Sequence, residues 1–278
     1  MTSPSPFRLA VLNVMPEAEV YLDYLAGVVP AGTELHWIKV RNHPYNSSNQ
    51  EILAATHRFY DEVDIDSCDA LLLSGSVMDR NPVFTEARYW DEVVETLKDA
   101  SGRVGSLAGV CWGAQVVAKV FFDIDKKHFS EKLSGVFEMT NLQPEHPLMR
   151  GLDDRYWLPQ SRYAELDPEP FAEAVRAGKL IPLDTSEQSG PTTVVSADGR
   201  YLLLQGHQDY PTGRLALEYH RARAKGENPP VPVNYDPDRP VNRWRANNRA
   251  LIAAWLQLAA ERKRQGSRSV ELAAATQS

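Results

Sequence analysis

Short apolar runs alternate with amphipathic segments through the first half of the chain, and this alternation restricts the possible folds most. The runs have the length of strands, and they are residues 7–14, 34–40, 69–75 and 104–110. The segments between and after them have helical periodicity, at residues 17–29, 49–63, 86–100 and from residue 112 onward. Because strand and helix alternate at short intervals, the pattern predicts an α/β fold with a mainly parallel sheet covered by helices on both faces.

The second half of the chain has a different pattern. Residues 192–207 read as two strands joined at Asp198-Gly199, a dipeptide typical of hairpin turns. Two more helices are predicted, at residues 212–226 and 243–264. No Ser/Gly/Pro-rich linker divides the chain, so we expect one domain over residues 1–264 and a flexible tail over residues 265–278, rich in Ala, Ser and Gln.

Composition excludes several classes of protein. The 278 residues carry a net charge of −7, which argues against a nucleic-acid-binding surface. No apolar run has the roughly 18 residues of a membrane span, and the N-terminus lacks the layout of a signal peptide. The only two cysteines, Cys68 and Cys111, make neither a disulfide framework nor a zinc site. We therefore expect a cytoplasmic protein without a metal, a membrane or a nucleic acid as partner.

Cys111 lies between two glycines where a predicted strand becomes a helix. The stretch Gly109-Val110-Cys111-Trp112-Gly113 has the form Gly-x-nucleophile-x-Gly, which in α/β sheets lifts one side chain above the strand end. A helix N-terminus favours the thiolate, and its N–H groups, that of Trp112 first, can receive an oxyanion. The alternative is a small buried hydrophobic residue, which is the interpretation we adopt for Cys68.

A cysteine nucleophile needs a base, and His207 is the best candidate among the seven histidines. It follows the apolar strand that ends near residue 205, and Asp209 comes two residues later. In an extended or turning segment, residues two apart can point the same way, so the acid can orient the imidazole. The sequence thus predicts a thiol triad of Cys111, His207 and Asp209.

Several blocks in order resemble the homoserine O-acyltransferase family, which has the class I glutamine amidotransferase-like fold, a flavodoxin-like three-layer sandwich. They include VLNVMP at 11–16, GVCWGAQ at 109–115, SRYAEL at 161–166, GHQDY at 206–210, LALEYHR at 215–221 and RWRANN at 243–248. The resemblance implies acyl transfer from acyl-CoA, as co-substrate and without a cofactor, to an amino-acid hydroxyl. Cys111 would carry the acyl group in a ping-pong mechanism.

The same resemblance implies further site residues. Lys132 and Ser161 would line the substrate site, and Arg221 would pair with the carboxylate of the amino acid, which a guanidinium grips with two hydrogen bonds. The family usually has Glu where this chain has Asp209. Aspartate is one methylene shorter, so the sequence does not determine whether it reaches the imidazole.

Two residues compete as the determinant of the acyl donor. In the family, a glutamate four residues after a loop glycine goes with acetyl transfer, and a glycine there goes with succinyl transfer. Counting from Gly75 gives Asp79, which would repel a succinyl carboxylate, whereas aligning from Trp90 gives Arg80, which would attract it. The first count is preferred, so acetyl-CoA is the expected donor.

The acceptor stays open between L-homoserine and L-serine, in methionine-type or cysteine-type biosynthesis, because one methylene changes binding by only ~1–3 kcal/mol. A glutaminase subunit is the alternative function, since amidotransferases use the same kind of cysteine and a later histidine with an acid two residues on. A non-enzymatic relative is a third alternative. Small-molecule substrates are the expected partners, with a homodimer as the expected assembly.

Overall fold

The computed structural model describes the backbone of residues 6–275 and the side chains of residues 6–266. Eight strands form the main sheet in the order β3-β2-β1-β4-β5-β11-β10-β8. Their bounds are β1 Arg8–Leu12, β2 Glu34–Ile38, β3 His57–Arg58, β4 Ala70–Leu73, β5 Ser106–Val110, β8 Leu180–Pro182, β10 Thr193–Ser196 and β11 Tyr201–Leu204. In this order, each strand from β3 to β11 is parallel to the next one. Strand β10 runs antiparallel to both of its neighbours, β11 and β8. The mainly parallel sheet predicted from the sequence is confirmed.

Seven α-helices are described: α1 Ala18–Ala26, α2 Gln50–Thr56, α3 Trp90–Ser101, α4 Trp112–Phe122, α5 Pro168–Arg176, α6 Arg214–Ala224 and α7 Arg245–Ala275. Both faces of the sheet are buried, as β1 illustrates. Its residues Ala10 and Leu12 belong to an apolar cluster that includes residues of α3 and α4, while Leu9 and Val11 belong to a cluster with α1 and α7. Helices on both faces make the three layers that the alternating pattern predicts.

A second sheet of three strands was not predicted from the sequence. The long strands β6 (Lys126–Asn141) and β7 (Arg155–Leu166) pair antiparallel, and the short β9 (Asp184–Thr185) adds to β6. The first half of β6 is polar and half exposed, and the register of the pair shifts between His128 and Leu133. A strand that is buried over only part of its length has no clear alternation, so periodicity does not reveal it.

The predicted helix over residues 49–63 is wrong in its second half. Helix α2 ends at Thr56, and the chain then forms the edge strand β3 and a 3-10 turn over Tyr60–Glu62. The His57 side chain is buried, and its Nε2 lies 3.0 Å from Asn13 Nδ2. This tertiary contact and the pairing with Trp37 of β2 override the local helical periodicity.

The other predicted elements agree with the observed ones within a few residues, apart from the end of α7, whereas α5 and β8 were not predicted. The hairpin between β10 and β11 turns at Gly199, which adopts the positive φ of 68° that favours glycine. Helix α7 continues to Ala275, into the segment for which the sequence predicted a flexible tail, and residues 276–278 lie outside the described residues. No helix in the described part of the chain is long and apolar enough to cross a bilayer.

Candidate active site

The predicted triad lies at the carboxyl edge of the main sheet, where three parallel strands end. Cys111 follows β5 directly, His207 comes three residues after β11, and Gly75 comes two residues after β4. A β-carbon built on Gly75 would lie 3.6 Å from Cys111 Cβ and 3.7 Å from His207 Cε1. The loop after β4 therefore passes directly beside both the thiol and the imidazole, and binding sites in α/β sheets form at this edge.

Cys111 sits on a sharp turn between β5 and α4. Its φ of 52° and ψ of −114° lie outside the regions that L-residues favour, so the backbone is strained at the nucleophile position. A β-carbon on Gly109 would lie 2.2 Å from Gly113 O, and one on Gly113 would lie 2.5 Å from Leu73 O. Only glycine fits at these two positions, which explains the Gly-x-Cys-x-Gly pattern.

The thiol of Cys111 is buried, with 3% of the residue exposed. Burial raises the pKa of the Cys111 thiol, and the charge of His207 acts in the opposite direction. The sulfur also lies 3.9 Å from the carbonyl oxygen of Ser161. In so enclosed a site, ionisation of the thiol depends on a proton acceptor beside it.

His207 is the candidate for that acceptor, and its ring has a fixed orientation. Its Nδ1 lies 3.1 Å from Asp209 Oδ1, and its ring stacks on Tyr210 with 3.8 Å between the ring centroids. The other ring nitrogen, Nε2, is buried and has no hydrogen-bond partner within normal distance. Aspartate is therefore long enough to reach the imidazole, although the resembling family usually has the longer glutamate here.

The pKa of His207 is set by burial and by its interactions with Cys111 and Asp209. Burial disfavours the charged imidazole, but the interactions with Cys111 and Asp209 outweigh it and raise the pKa of His207 to about 10. Moving the proton from sulfur to Nε2 creates two opposite charges side by side and leaves the net charge of the site unchanged.

The backbone of α4 supplies hydrogen-bond donors next to the sulfur. Trp112 is the first residue of this helix, and N–H groups in a first turn have no acceptor within the helix. Its indole is buried and packs edge-on against Tyr89, which fixes the first turn in place. The predicted oxyanion donor at Trp112 thus lies directly after the nucleophile.

Glu218 of α6 is a site residue that the sequence did not single out. It accepts hydrogen bonds from Ser161 Oγ at 2.5 Å, Lys132 Nζ at 2.9 Å, Tyr210 Oη at 2.6 Å and Arg214 Nε at 2.9 Å. Burial opposes its charge, but the Lys132 and Arg214 cations outweigh it and lower the pKa of Glu218 to about 2. The signal was its place in LALEYHR, three residues before Arg221.

This carboxylate joins the site residues from three different elements. Ser161 is on β7 and Lys132 is on β6, so both come from the second sheet, while Tyr210 belongs to the loop that holds His207. The structure thus brings together Lys132 and Ser161, as the resemblance implies, and it connects both of them to the ring that stacks on His207.

Arg221 lies on the same helix as Glu218 but outside its hydrogen-bond network. Its Nη1 lies 2.9 Å from Glu17 Oε2, and half of the Arg221 side chain is exposed. Glu17 immediately precedes α1, in the loop after β1. Arg221 is therefore on the open side of the network, with one carboxylate as its ion-pair partner.

The two candidate donor residues have different environments. Asp79 is buried, and it accepts hydrogen bonds from Gln115 Nε2 at 2.7 Å and from the backbone N–H of Tyr163 at 2.5 Å. Its negative charge also contributes to the raised pKa of the Cys111 thiol. Arg80 is exposed, and its guanidinium lies 4.8 Å above the Tyr163 ring. Of the two, Asp79 is the residue that faces the interior.

Comparison with known proteins gives the family. The model of the homoserine O-succinyltransferase family matches residues 3–265. The chain belongs to this family. It is 32% identical to the homoserine O-acetyltransferase of Petrotoga mobilis over 262 residues, which cover 90% of this chain and 82% of the relative. It is also 32% identical to the homoserine O-succinyltransferase of Vibrio vulnificus, with the same coverage. Family membership makes the chain a homoserine O-acyltransferase, and it does not separate the two acyl groups.

Solved structures agree on the fold. A glutamine amidotransferase from Thermotoga maritima superimposes with a TM-score of 0.56 at 14% identity, covering 93% of this chain and all of that one. A glutamine amidotransferase from Methylobacillus flagellatus has a TM-score of 0.55 at 16% identity, with coverage of 95% and 96%. At such low identity the likeness concerns the fold alone, and it confirms the predicted glutamine amidotransferase-like architecture.

Proposed function

We propose that the enzyme transfers an acyl group from acyl-CoA to L-homoserine through a thioester on Cys111. The observation that carries the proposal is the triad, in which a strained cysteine at a helix N-terminus faces an imidazole held by Asp209. This arrangement provides a nucleophile, a base and an orienting acid in one buried site.

In the first half-reaction, the Cys111 thiolate attacks the thioester carbonyl while His207 holds the proton from sulfur. The N–H of Trp112 stabilises the oxyanion, and the CoA thiolate leaves and takes the proton from His207. In the second, His207 removes the proton of the acceptor hydroxyl, whose oxygen attacks the acyl-cysteine. The ester leaves, and the Cys111 thiolate and the His207 imidazolium are restored.

The test is mass spectrometry of the protein after brief exposure to acyl-CoA without an acceptor. We expect an acyl adduct on a peptide that contains Cys111, which disappears when L-homoserine is added. Cys68 is the internal control, because it is buried outside the site and burial raises the pKa of its thiol to about 11. Turnover by a Cys111→Ala variant at the rate of the unmodified enzyme would refute the covalent route.

Asp79 supports acetyl-CoA as the donor. A buried carboxylate with electrostatic influence on Cys111 places a negative charge near the acyl group, which repels the carboxylate of a succinyl group. Arg80, the competing residue, is exposed and lies against Tyr163, so it provides no buried cation for succinate.

The acceptor assignment rests on the family, whose curated relatives are named for homoserine. L-Serine is one methylene shorter, so a hydrophobic pocket distinguishes the two by only ~1–3 kcal/mol. A comparison of kcat/KM for both amino acids with acetyl-CoA and succinyl-CoA ranks all four combinations. The glutaminase alternative has only the fold in its favour, and no described residue supports it beyond the triad that both activities share.

A further inference from the structure

The ion pair between Glu17 and Arg221 joins two elements that are 204 residues apart in sequence. The two side chains meet at 2.9 Å, and they are 30% and 50% exposed respectively. Exposed pairs of this kind contribute little to stability because water screens both charges, so a ligand can separate them at low cost.

Both members of the pair are anchored close to the catalytic loops. Glu17 belongs to the loop after β1, and this loop is tied to the loop after β4 by a hydrogen bond from Val14 N to Ser74 Oγ at 2.9 Å. Ser74 directly precedes Gly75, which lies beside Cys111 and His207. Arg221 is one helical turn after Glu218 and therefore lies on the same side of α6.

The other carboxylates of the site are already occupied. Glu218 accepts from four donors, Asp79 accepts from two, and Asp209 holds the imidazole of His207. Among the site carboxylates described here, Glu17 has one ion-pair partner and is partly exposed to solvent. An incoming ammonium group therefore has Glu17 as its accessible counter-charge.

We propose that Glu17 is a further acceptor-binding residue and forms a two-charge clamp with Arg221. Glu17 binds the α-ammonium of the acceptor, and Arg221 binds its α-carboxylate, as the family resemblance already implies. The inference rests on the proposed function and names how its acceptor is recognised. The acceptor replaces one ion pair by two, and the clamp holds its backbone end while the hydroxyl points to the acyl-cysteine. It selects α-amino acids over hydroxy acids, which lack the positive charge.

The experiment measures steady-state kinetics of Glu17→Gln with two acceptors, L-homoserine and 2,4-dihydroxybutanoate, which has a hydroxyl in place of the ammonium. Hydrogen bonds to charged groups are strong enough that we expect the KM for L-homoserine to rise about 10-fold or more. The KM for dihydroxybutanoate should not rise, and acyl-enzyme formation without acceptor should keep its rate. Glu17→Lys should reverse the preference, because two cations then face the acceptor.

Glu34→Gln is the matched control. Glu34 pairs with Arg8 at the same distance of 2.9 Å and with similar exposure, but at the amino edge of the sheet, where β1 and β2 begin. The Glu34→Gln substitution should leave the KM values for L-homoserine and for dihydroxybutanoate unchanged. An unchanged KM for L-homoserine in Glu17→Gln, or an equal rise for both acceptors, would overturn the clamp. Failure of the proposed function would show differently, as the absence of an acyl adduct on Cys111 in the unmodified protein.

Discussion

His207 and Asp209 are separated by a single residue, and their side chains meet at 3.1 Å between Nδ1 and Oδ1. Stacking on Tyr210 holds the imidazole plane, and the His207 backbone N–H donates to Pro159 O at 2.9 Å. The orientation of the base therefore depends on the acid, on one aromatic ring and on the second sheet. We therefore expect substitutions of His207 and of Asp209 to reduce activity by different amounts.

We expect His207→Ala to lose several orders of magnitude in kcat, because the imidazole moves a proton in both half-reactions. Asp209→Asn should lose less, since the acid mainly fixes the tautomer and direction of the ring. Single-turnover rates of acyl-enzyme formation and of transfer measure both steps. Equal and mild losses in the two variants would contradict the assignment of the triad.

Gly113→Ala should destabilise the fold by about 1–3 kcal/mol, because the new methyl would lie 2.5 Å from the carbonyl oxygen of Leu73. Gly102→Ala is the matched control, since its added methyl has no atom within 4 Å and its φ of −83° suits any residue. Urea unfolding of both variants provides the comparison. Equal stabilities of the two variants would mean that the turn after Cys111 can accommodate a methyl group, which would contradict the prediction.

Glu218→Gln should make the free energy of unfolding less dependent on pH in the acidic range. Because the pKa of Glu218 is lowered from 4.5 to about 2, its ionised form stabilises the fold above pH ~4.5, and this contribution is lost as the pH falls towards 2. The substitution should therefore cost more at pH 7 than at pH 3 in urea unfolding. The exposed Glu51→Gln is the control, and a penalty of equal size at both pH values for Glu218→Gln would contradict the prediction.

Asp79→Gly should shift donor preference towards succinyl-CoA. Removing the buried carboxylate eliminates repulsion of the succinyl group and leaves space next to Gln115. Arg80→Gly is the control, because the exposed guanidinium lies over Tyr163 and should have little influence. The ratio of kcat/KM for the two donors is the measurement. A larger change in Arg80→Gly would make Arg80 the donor determinant.

The sequence by itself determined six of the eight strands of the main sheet and the position of the candidate nucleophile. Both depend on local information: the alternation of buried runs with amphipathic segments, and two glycines whose lack of a side chain the strand-to-helix turn requires. The contact between His207 and Asp209 was predicted for the same reason, since two side chains that are two residues apart after a strand end can meet by local geometry.

Only the tertiary structure decided the rest. The second sheet, the end of α2 at Thr56 and the convergence of four donors on Glu218 all depend on contacts between distant segments. The same is true of the pair between Glu17 and Arg221, which are 204 residues apart. Periodicity shows which face of an element is buried. The partner of a charged side chain depends instead on how distant elements pack together, and a local sequence pattern does not contain that information.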